Sequence, residues 1–189
     1  MLWTASGFRA IISLEMTTLH VLLKQSEIAA AVRRLADEIS SDYCDKNPLV
    51  IGVLKGSFIF LADLVRLLDF SLEVDFVTLS SYKDKMQSCG DVSVDRCFST
   101  DIKGRHVLLV EDIVDSGLTM HFLLDRLREE TPASLRLCAL LDKPSQRKLP
   151  VNIDYLGFTI PDRFVVGYGT DCAEKYRNLP DIRFIEKKG

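Results

Sequence analysis

The sequence predicts an α/β fold, an open and mostly parallel sheet flanked by helices. Three observations predict it. Short, wholly apolar runs, residues 49–54 and 107–110 above all, read as strands buried on both faces. Between such runs lie stretches with apolar residues at helical spacing. Polar clusters follow the runs directly, where the carboxyl ends of parallel strands open a crevice for a ligand. With 189 residues, 47% hydrophobic and 27% charged, the chain suits one domain with a sizeable core.

Residues 1–15 look unlike the rest and read as a poorly ordered leader. Their apolar cluster around Ile11, Ile12 and Leu14 is too short for a signal peptide or a membrane span. Met16 is read as an alternative start, and residues 16–189 as the domain. Ser26 is the expected N-cap of a helix over residues 26–43, with Ile28, Val32, Leu35, Ala36 and Ile39 on one face. Residues 49–54 form a strand, Lys55-Gly56-Ser57 a loop, and residues 58–68 a helix with Phe58, Leu61, Ala62 and Val65 inward. Another strand spans residues 72–79. From residue 80 to 93 the apolar pattern stops, and a polar stretch of that length reads as a mobile lid or, more plainly, a surface hairpin. The strand at 107–110 leads through polar residues to a helix carrying Leu118, Phe122, Leu123 and Leu127. Further strands are expected at 134–141, before Asp142-Lys143-Pro144, and at 153–160, before Pro161-Asp162. Residues 164–168 are short, aromatic and apolar, residues 173–177 suit one helical turn, and residues 182–185 close the chain.

The centre of this order is the run Glu111-Asp112-Ile113-Val114-Asp115-Ser116-Gly117-Leu118-Thr119. Backbone N–H groups at a helix start lack intrahelical acceptors and point outward with the positive end of the dipole. A phosphate fits there, and Gly117 lets the backbone approach it. The acids Glu111 and Asp112 do the opposite work, because carboxylates accept hydrogen bonds from sugar hydroxyls and hold Mg²⁺ directly or through water. Phosphate donors beside hydroxyl acceptors describe a pocket for a 5-phosphorylated ribose.

The remaining composition narrows the class. A formal net charge of −3 gives no global basic signature for nucleic acid or membrane. Five Cys without C-x-x-C spacing and three scattered His argue against a disulfide framework or a zinc site, and suit a reducing, cytoplasmic setting. Neither G-x-x-x-x-G-K-[ST] nor G-x-G-x-x-G after a strand occurs.

The run from Glu111 to Thr119 resembles the phosphoribosyl pyrophosphate (PRPP) motif of purine phosphoribosyltransferases. Taken with Leu54-Lys55-Gly56, Ser81-Tyr82, Lys143 and Phe164-Val165-Val166-Gly167-Tyr168, residues 49–177 are similar to hypoxanthine-guanine phosphoribosyltransferases, segment by segment in the family's order. The resemblance implies a type I phosphoribosyltransferase-like sheet with a small hood and a mobile active-site loop. It implies transfer of 5-phosphoribosyl from PRPP to N9 of hypoxanthine or guanine, with Mg²⁺ and release of pyrophosphate. Lys55 and Gly56 then match a pyrophosphate loop whose peptide before the Lys is typically cis, and Arg177 a further pyrophosphate contact. Ser81 and Tyr82 match the lid, where Cys89 departs from a frequent small residue such as Thr. Glu111 and Asp112 match the acids at the ribose hydroxyls and the metal, and Asp115, Ser116, Gly117, Leu118 and Thr119 the 5-phosphate cradle. Asp115 also matches the catalytic residue that exchanges a proton with purine N7. Lys143 matches the donor to the 6-oxo group, Phe164 the ring that stacks on the base, and Val165 the backbone at its edge. Asp171, on the purine side, matches an acid that holds a second Mg²⁺ through water.

The expected partners are PRPP and a 6-oxopurine, with no nucleic acid and no membrane, in a homodimer or homotetramer. A transferase preferring xanthine and guanine, a PRPP-binding regulator, and a receiver domain are the rival readings. Receiver domains carry their acidic pair near the N-terminus, and regulators of this kind usually carry a basic face or an added domain.

Overall fold

A computed structural model describes residues 17–78 and 100–187. The chain runs β1 (Thr17–Leu23), α1 (Gln25–Tyr43), β2 (Leu49–Leu54), α2 (Phe58–Val65), β3 (Glu73–Thr78), β4 (His106–Val114), α3 (Leu118–Glu129), β5 (Ser134–Asp142), β6 (Tyr155–Thr159), β7 (Val165–Val166) and β8 (Ile182–Lys187). A five-stranded sheet has the order β3-β2-β4-β5-β6, parallel throughout. A second sheet, β1-β8-β7, is antiparallel and forms the hood. The predicted leader and the lid with Ser81 and Tyr82 lie outside the described residues.

The apolar runs are strands because they are buried on both faces. Val50, Leu108, Val110, Cys138 and Leu140 pack toward α1 and α2. Leu49, Ile51, Val107, Leu109, Leu137 and Ala139 pack toward α3. Successive residues thus serve opposite layers, as the two-residue strand period requires. Each Val, Leu or Ile among them, removed from water, stabilises by about 1.5–3 kcal/mol. Connections from β2 leave toward β3 on one side, while β4 pairs on the other, so the sheet reverses its order between β2 and β4. Ligands bind beyond the strand ends at such a reversal.

Several boundaries differ from expectation. The strand expected at 107–110 runs on to Val114, because Glu111, Ile113 and Val114 keep pairing with Ala139, Leu141 and Asp142 of β5. The acids therefore sit in the strand rather than after it. Ser26 is not the cap of α1. The helix starts at Gln25, and the Glu27 carboxylate accepts the Lys24 N–H at 2.8 Å. Helix α2 ends at Val65 and turns Phe60, Leu61 and Leu64 inward, leaving Phe58 and Ala62 exposed. Its only polar residue is Asp63, so periodicity could not choose a face. The Asp63 carboxylate chooses it by accepting the Tyr168 hydroxyl at 2.7 Å. Residues 173–177 are not a helical turn. Ala173, Glu174 and Tyr176 have φ of 50°, 64° and 75°, and Cys172 bridges Lys175. Strand β1 carried no recognised signal; it exists through its pairing with β8.

Candidate active site

Three loops at the carboxyl ends of β2, β4 and β5 meet the hood. After β2, the Leu54–Lys55 peptide is cis, as the resemblance implied. Ser57 is fully buried and donates to the Val53 carbonyl at 2.7 Å, closing the loop onto its own strand. Gly56 is pressed between two neighbours. A Cβ there would run into the Asp112 carboxylate, and a Cβ on Gly169 would run into the Gly56 carbonyl. Only glycine at these positions lets the β2 loop, the β4 acids and the hood touch.

At the end of β4 the electrostatics are unusual. Among the described residues, Glu111 Oε2 is buried without a hydrogen-bond partner. Burial, then the adjacent Asp112 charge, holds the Glu111 carboxyl well above its ordinary range. Burial raises Asp112 too, opposed by its hydrogen bond with Glu111 and, more weakly, by the Arg177 charge. The loop that follows is a cradle. Gly117 is the N-cap of α3 at φ 80°, a left-handed conformation that suits glycine. Its carbonyl accepts the His121 N–H at 2.9 Å, while the Ser116 carbonyl accepts Lys148 and Leu149 N–H groups at 2.8 and 3.3 Å. Asp115, Leu118 and Thr119 are exposed on the rim.

Lys143, at the end of β5, is a buried cation, 7% exposed. Its Nζ lies 3.6 Å from Asp115 Oδ2 and 4.0 Å from Asp162 Oδ1. It therefore joins the cradle to the segment leading into β7. There the Phe164 side chain is 56% exposed while its carbonyl is fixed by the Ile185 N–H at 3.0 Å. Val165 is buried and pairs with Phe184. Deeper in the hood, Arg177 reaches Asp171 at 2.9 Å and the Gly169 carbonyl at 2.7 Å.

The structure thus brings together Lys55, Gly56, Glu111, Asp112, the residues from Asp115 to Thr119, Lys143, Asp171 and Arg177 along one rim. Phe164 and Val165 stand at its edge, linked to Lys143 through Asp162. The three acids expected at the metal do not converge on one point. Among the described residues no three His, Cys, Asp or Glu side chains form a metal cluster, and Asp171 is paired with Arg177. Sequence reasoning did not assign Asp162, Glu174 or the Tyr168–Asp63 contact. Asp162 had the signal of an acid beside the aromatic segment, whereas Glu174 had none beyond its place between Asp171 and Arg177.

Comparison with known proteins decides the family. Residues 20–173 match the family described as "Phosphoribosyl transferase domain". This chain is a phosphoribosyltransferase. It is 47% identical over 166 residues to the hypoxanthine-guanine phosphoribosyltransferase of Bacillus subtilis, covering 88% of this chain and 92% of that one. A crystal structure of a hypoxanthine-guanine phosphoribosyltransferase from Bacillus anthracis superposes with a TM-score of 0.82 at 44% identity, over 88% of this chain and 98% of that chain. A solved hypoxanthine-guanine-xanthine phosphoribosyltransferase gives 0.77 at 42% identity, over 89% and 94%. The open parallel sheet with its flanking helices is the fold of this transferase family. Among the described residues no helix is long and apolar enough to cross a membrane.

Proposed function

We infer that this phosphoribosyltransferase moves 5-phosphoribosyl from PRPP to N9 of hypoxanthine and of guanine, releasing pyrophosphate, as a purine-salvage reaction. The observation that carries the base assignment is Lys143. A buried ammonium next to Asp115 and Asp162 can only donate, so it pairs with a 6-oxo oxygen and not with the 6-amino group of adenine. The relatives named above carry hypoxanthine and guanine in their names, which supports the same reading.

In this reading C1 of the ribose gains a bond to N9 as its bond to pyrophosphate breaks, and the electron pair leaves on the pyrophosphate oxygen. The α3 start from Ser116 to Thr119 holds the 5-phosphate through backbone N–H groups. Lys55 and Arg177 stabilise charge on the leaving group. Phe164 and the Val165 backbone orient the base, and Asp115 accepts the N7 proton as N9 becomes substituted. Ser81 and Tyr82, outside the described residues, are proposed to cover the reacting centre and exclude water.

The residues present fit a divalent cation. Half-buried Glu111 has a buried, orphaned carboxylate oxygen, and buried Asp112 lies beside it, a donor set that suits a cation. Mg²⁺ typically takes one or two carboxylates and completes its shell with water and substrate oxygens, so a three-acid cluster is unnecessary. Glu111 and Asp112 would hold one such ion beside the ribose, and Asp171 would hold a second through water. Bound Mg²⁺ would supply charge neutralisation for the leaving group. A homodimer or homotetramer is proposed as the assembly, and the exposed apolar residues Phe58 and Leu67 after β2 and Val74 and Phe76 on β3 support a buried contact.

A spectrophotometric assay with PRPP, Mg²⁺ and each of hypoxanthine, guanine, xanthine and adenine tests this. Hypoxanthine and guanine should turn over, with adenine slower by about 10²-fold or more. Turnover of adenine alone would overturn the role of Lys143, and turnover of none would overturn the activity.

A further inference from the structure

Glu174 spans the two cations assigned to pyrophosphate. One oxygen, Oε2, accepts from Lys55 Nζ at 3.3 Å and from Arg177 Nη2 at 3.2 Å. These cations come from chain segments more than a hundred residues apart, one on the β2 loop and one in the hood. A single anionic oxygen shared between them does what an oxygen of a bound phosphate would do.

The turn that presents this carboxylate is built rather than loose. Cys172 and Lys175 exchange backbone hydrogen bonds at 3.1 Å, and the Glu174 N–H donates to Asp171 Oδ2 at 2.7 Å. Ala173 and Glu174 both adopt left-handed φ, a conformation that non-glycine residues seldom hold unless their surroundings enforce it. Arg177 is anchored independently of Glu174, by Asp171 at 2.9 Å and by the Gly169 carbonyl at 2.7 Å. Lys55 has no second ion pair among the described residues, and its side chain is 64% exposed. The bridge is therefore solvated and easily exchanged.

We propose that Glu174 is an internal counter-anion of the pyrophosphate subsite, holding Lys55 and Arg177 together in the free enzyme and yielding them to the pyrophosphate end of the substrate. It rests on the transferase reading given above. Glu174 then sets affinity: it competes with pyrophosphate on entry and returns to the cations on product release, so it weakens substrate and product binding together. It touches neither C1 nor the base, and it is an affinity-determining residue rather than a catalytic one.

The test is Glu174→Gln. The hydrogen bond to Asp171 comes from the backbone N–H, so the turn is retained while the charge is lost. Inorganic pyrophosphate with Mg²⁺ is titrated calorimetrically into wild type and variant, and its inhibition constant against PRPP is measured. The variant should bind pyrophosphate about three- to tenfold more tightly, as expected for release of an exposed ion pair. KM for PRPP should fall in parallel, while KM for hypoxanthine stays within about twofold. Equal or weaker pyrophosphate binding by the variant, in an enzyme whose wild type turns over, would overturn the counter-anion role and leave the transferase reading intact. A wild type that neither binds pyrophosphate nor turns over PRPP with a 6-oxopurine would remove both.

Discussion

The two ends of the central sheet handle charge in opposite ways. At the amino ends of the strands two charged clusters are completed within the protein. Arg105 grips Glu73 through both nitrogens at 3.0 and 2.7 Å. Asp42, at the end of α1, accepts the Tyr155 hydroxyl at 2.6 Å and the Arg136 guanidinium, which also packs over the rings of Tyr43 and Tyr155. These contacts hold the Asp42 carboxyl below its ordinary value, the Tyr155 hydrogen bond foremost. At the carboxyl ends Glu111 carries a buried carboxylate oxygen with no hydrogen-bond partner among the described residues, and Lys143 is buried beside two carboxylates at 3.6 and 4.0 Å. Groups whose burial or missing partners perturb them cluster at functional sites, so the contrast between the two ends points to the carboxyl end as the site of function.

The largest expected effect comes from the unfinished end. Removing divalent metal with excess EDTA should lower turnover by about 10³-fold or more, the scale of several kcal/mol of leaving-group stabilisation. Full activity in EDTA would mean that the buried acids serve ribose hydroxyls alone.

Asp115→Asn is expected to be milder. Asn preserves the shape of the cradle but takes up no proton near neutral pH, so kcat should fall by about 10²-fold or less with PRPP affinity little changed. Collapse of PRPP binding with kcat maintained at saturation would assign Asp115 to loop geometry instead.

Glu111→Gln sharpens the contrast through stability. In metal-free protein it should gain about 1–2 kcal/mol at pH 8 and melt a few degrees higher, while losing activity. The sign follows from the raised carboxyl. The unfolded chain ionises first, near the ordinary 4.5, so the wild type loses stability as pH rises from there toward the elevated folded value. The variant should lack that decline, and an identical pH profile in calorimetry would contradict the assignment.

Asp42→Asn, at the completed end, should have the smallest effect and the opposite pH dependence. A lowered carboxyl contributes stability above its unfolded value and loses it as pH falls through the folded one. The pair is well exposed, so a loss of no more than about 1 kcal/mol is expected at neutral pH. That difference should vanish in acid, with kcat unchanged throughout. A change in kcat would show that the two ends are coupled.

Residue order alone determined a great deal here. The apolar runs had to be strands covered on both faces, and β2 was legible to the residue because nothing else explains six consecutive apolar or glycine positions before a Lys-Gly loop. The cradle after β4 was readable from side-chain chemistry, since small residues and acids limit what can bind, whereas the role proposed for Lys143 came from the family resemblance and its chemistry only agrees with it. Tertiary structure alone decided the rest. Helix α2 had no polar pattern to orient it until Asp63 met Tyr168 from across the fold. Strand β1 depends on β8, at the far end of the chain, for its hydrogen bonds. Glu174 reaches Lys55 only because the hood folds back over the β2 loop, with Gly169 against Gly56. In each case the deciding partner lies more than a hundred residues away, and local periodicity carries no record of it.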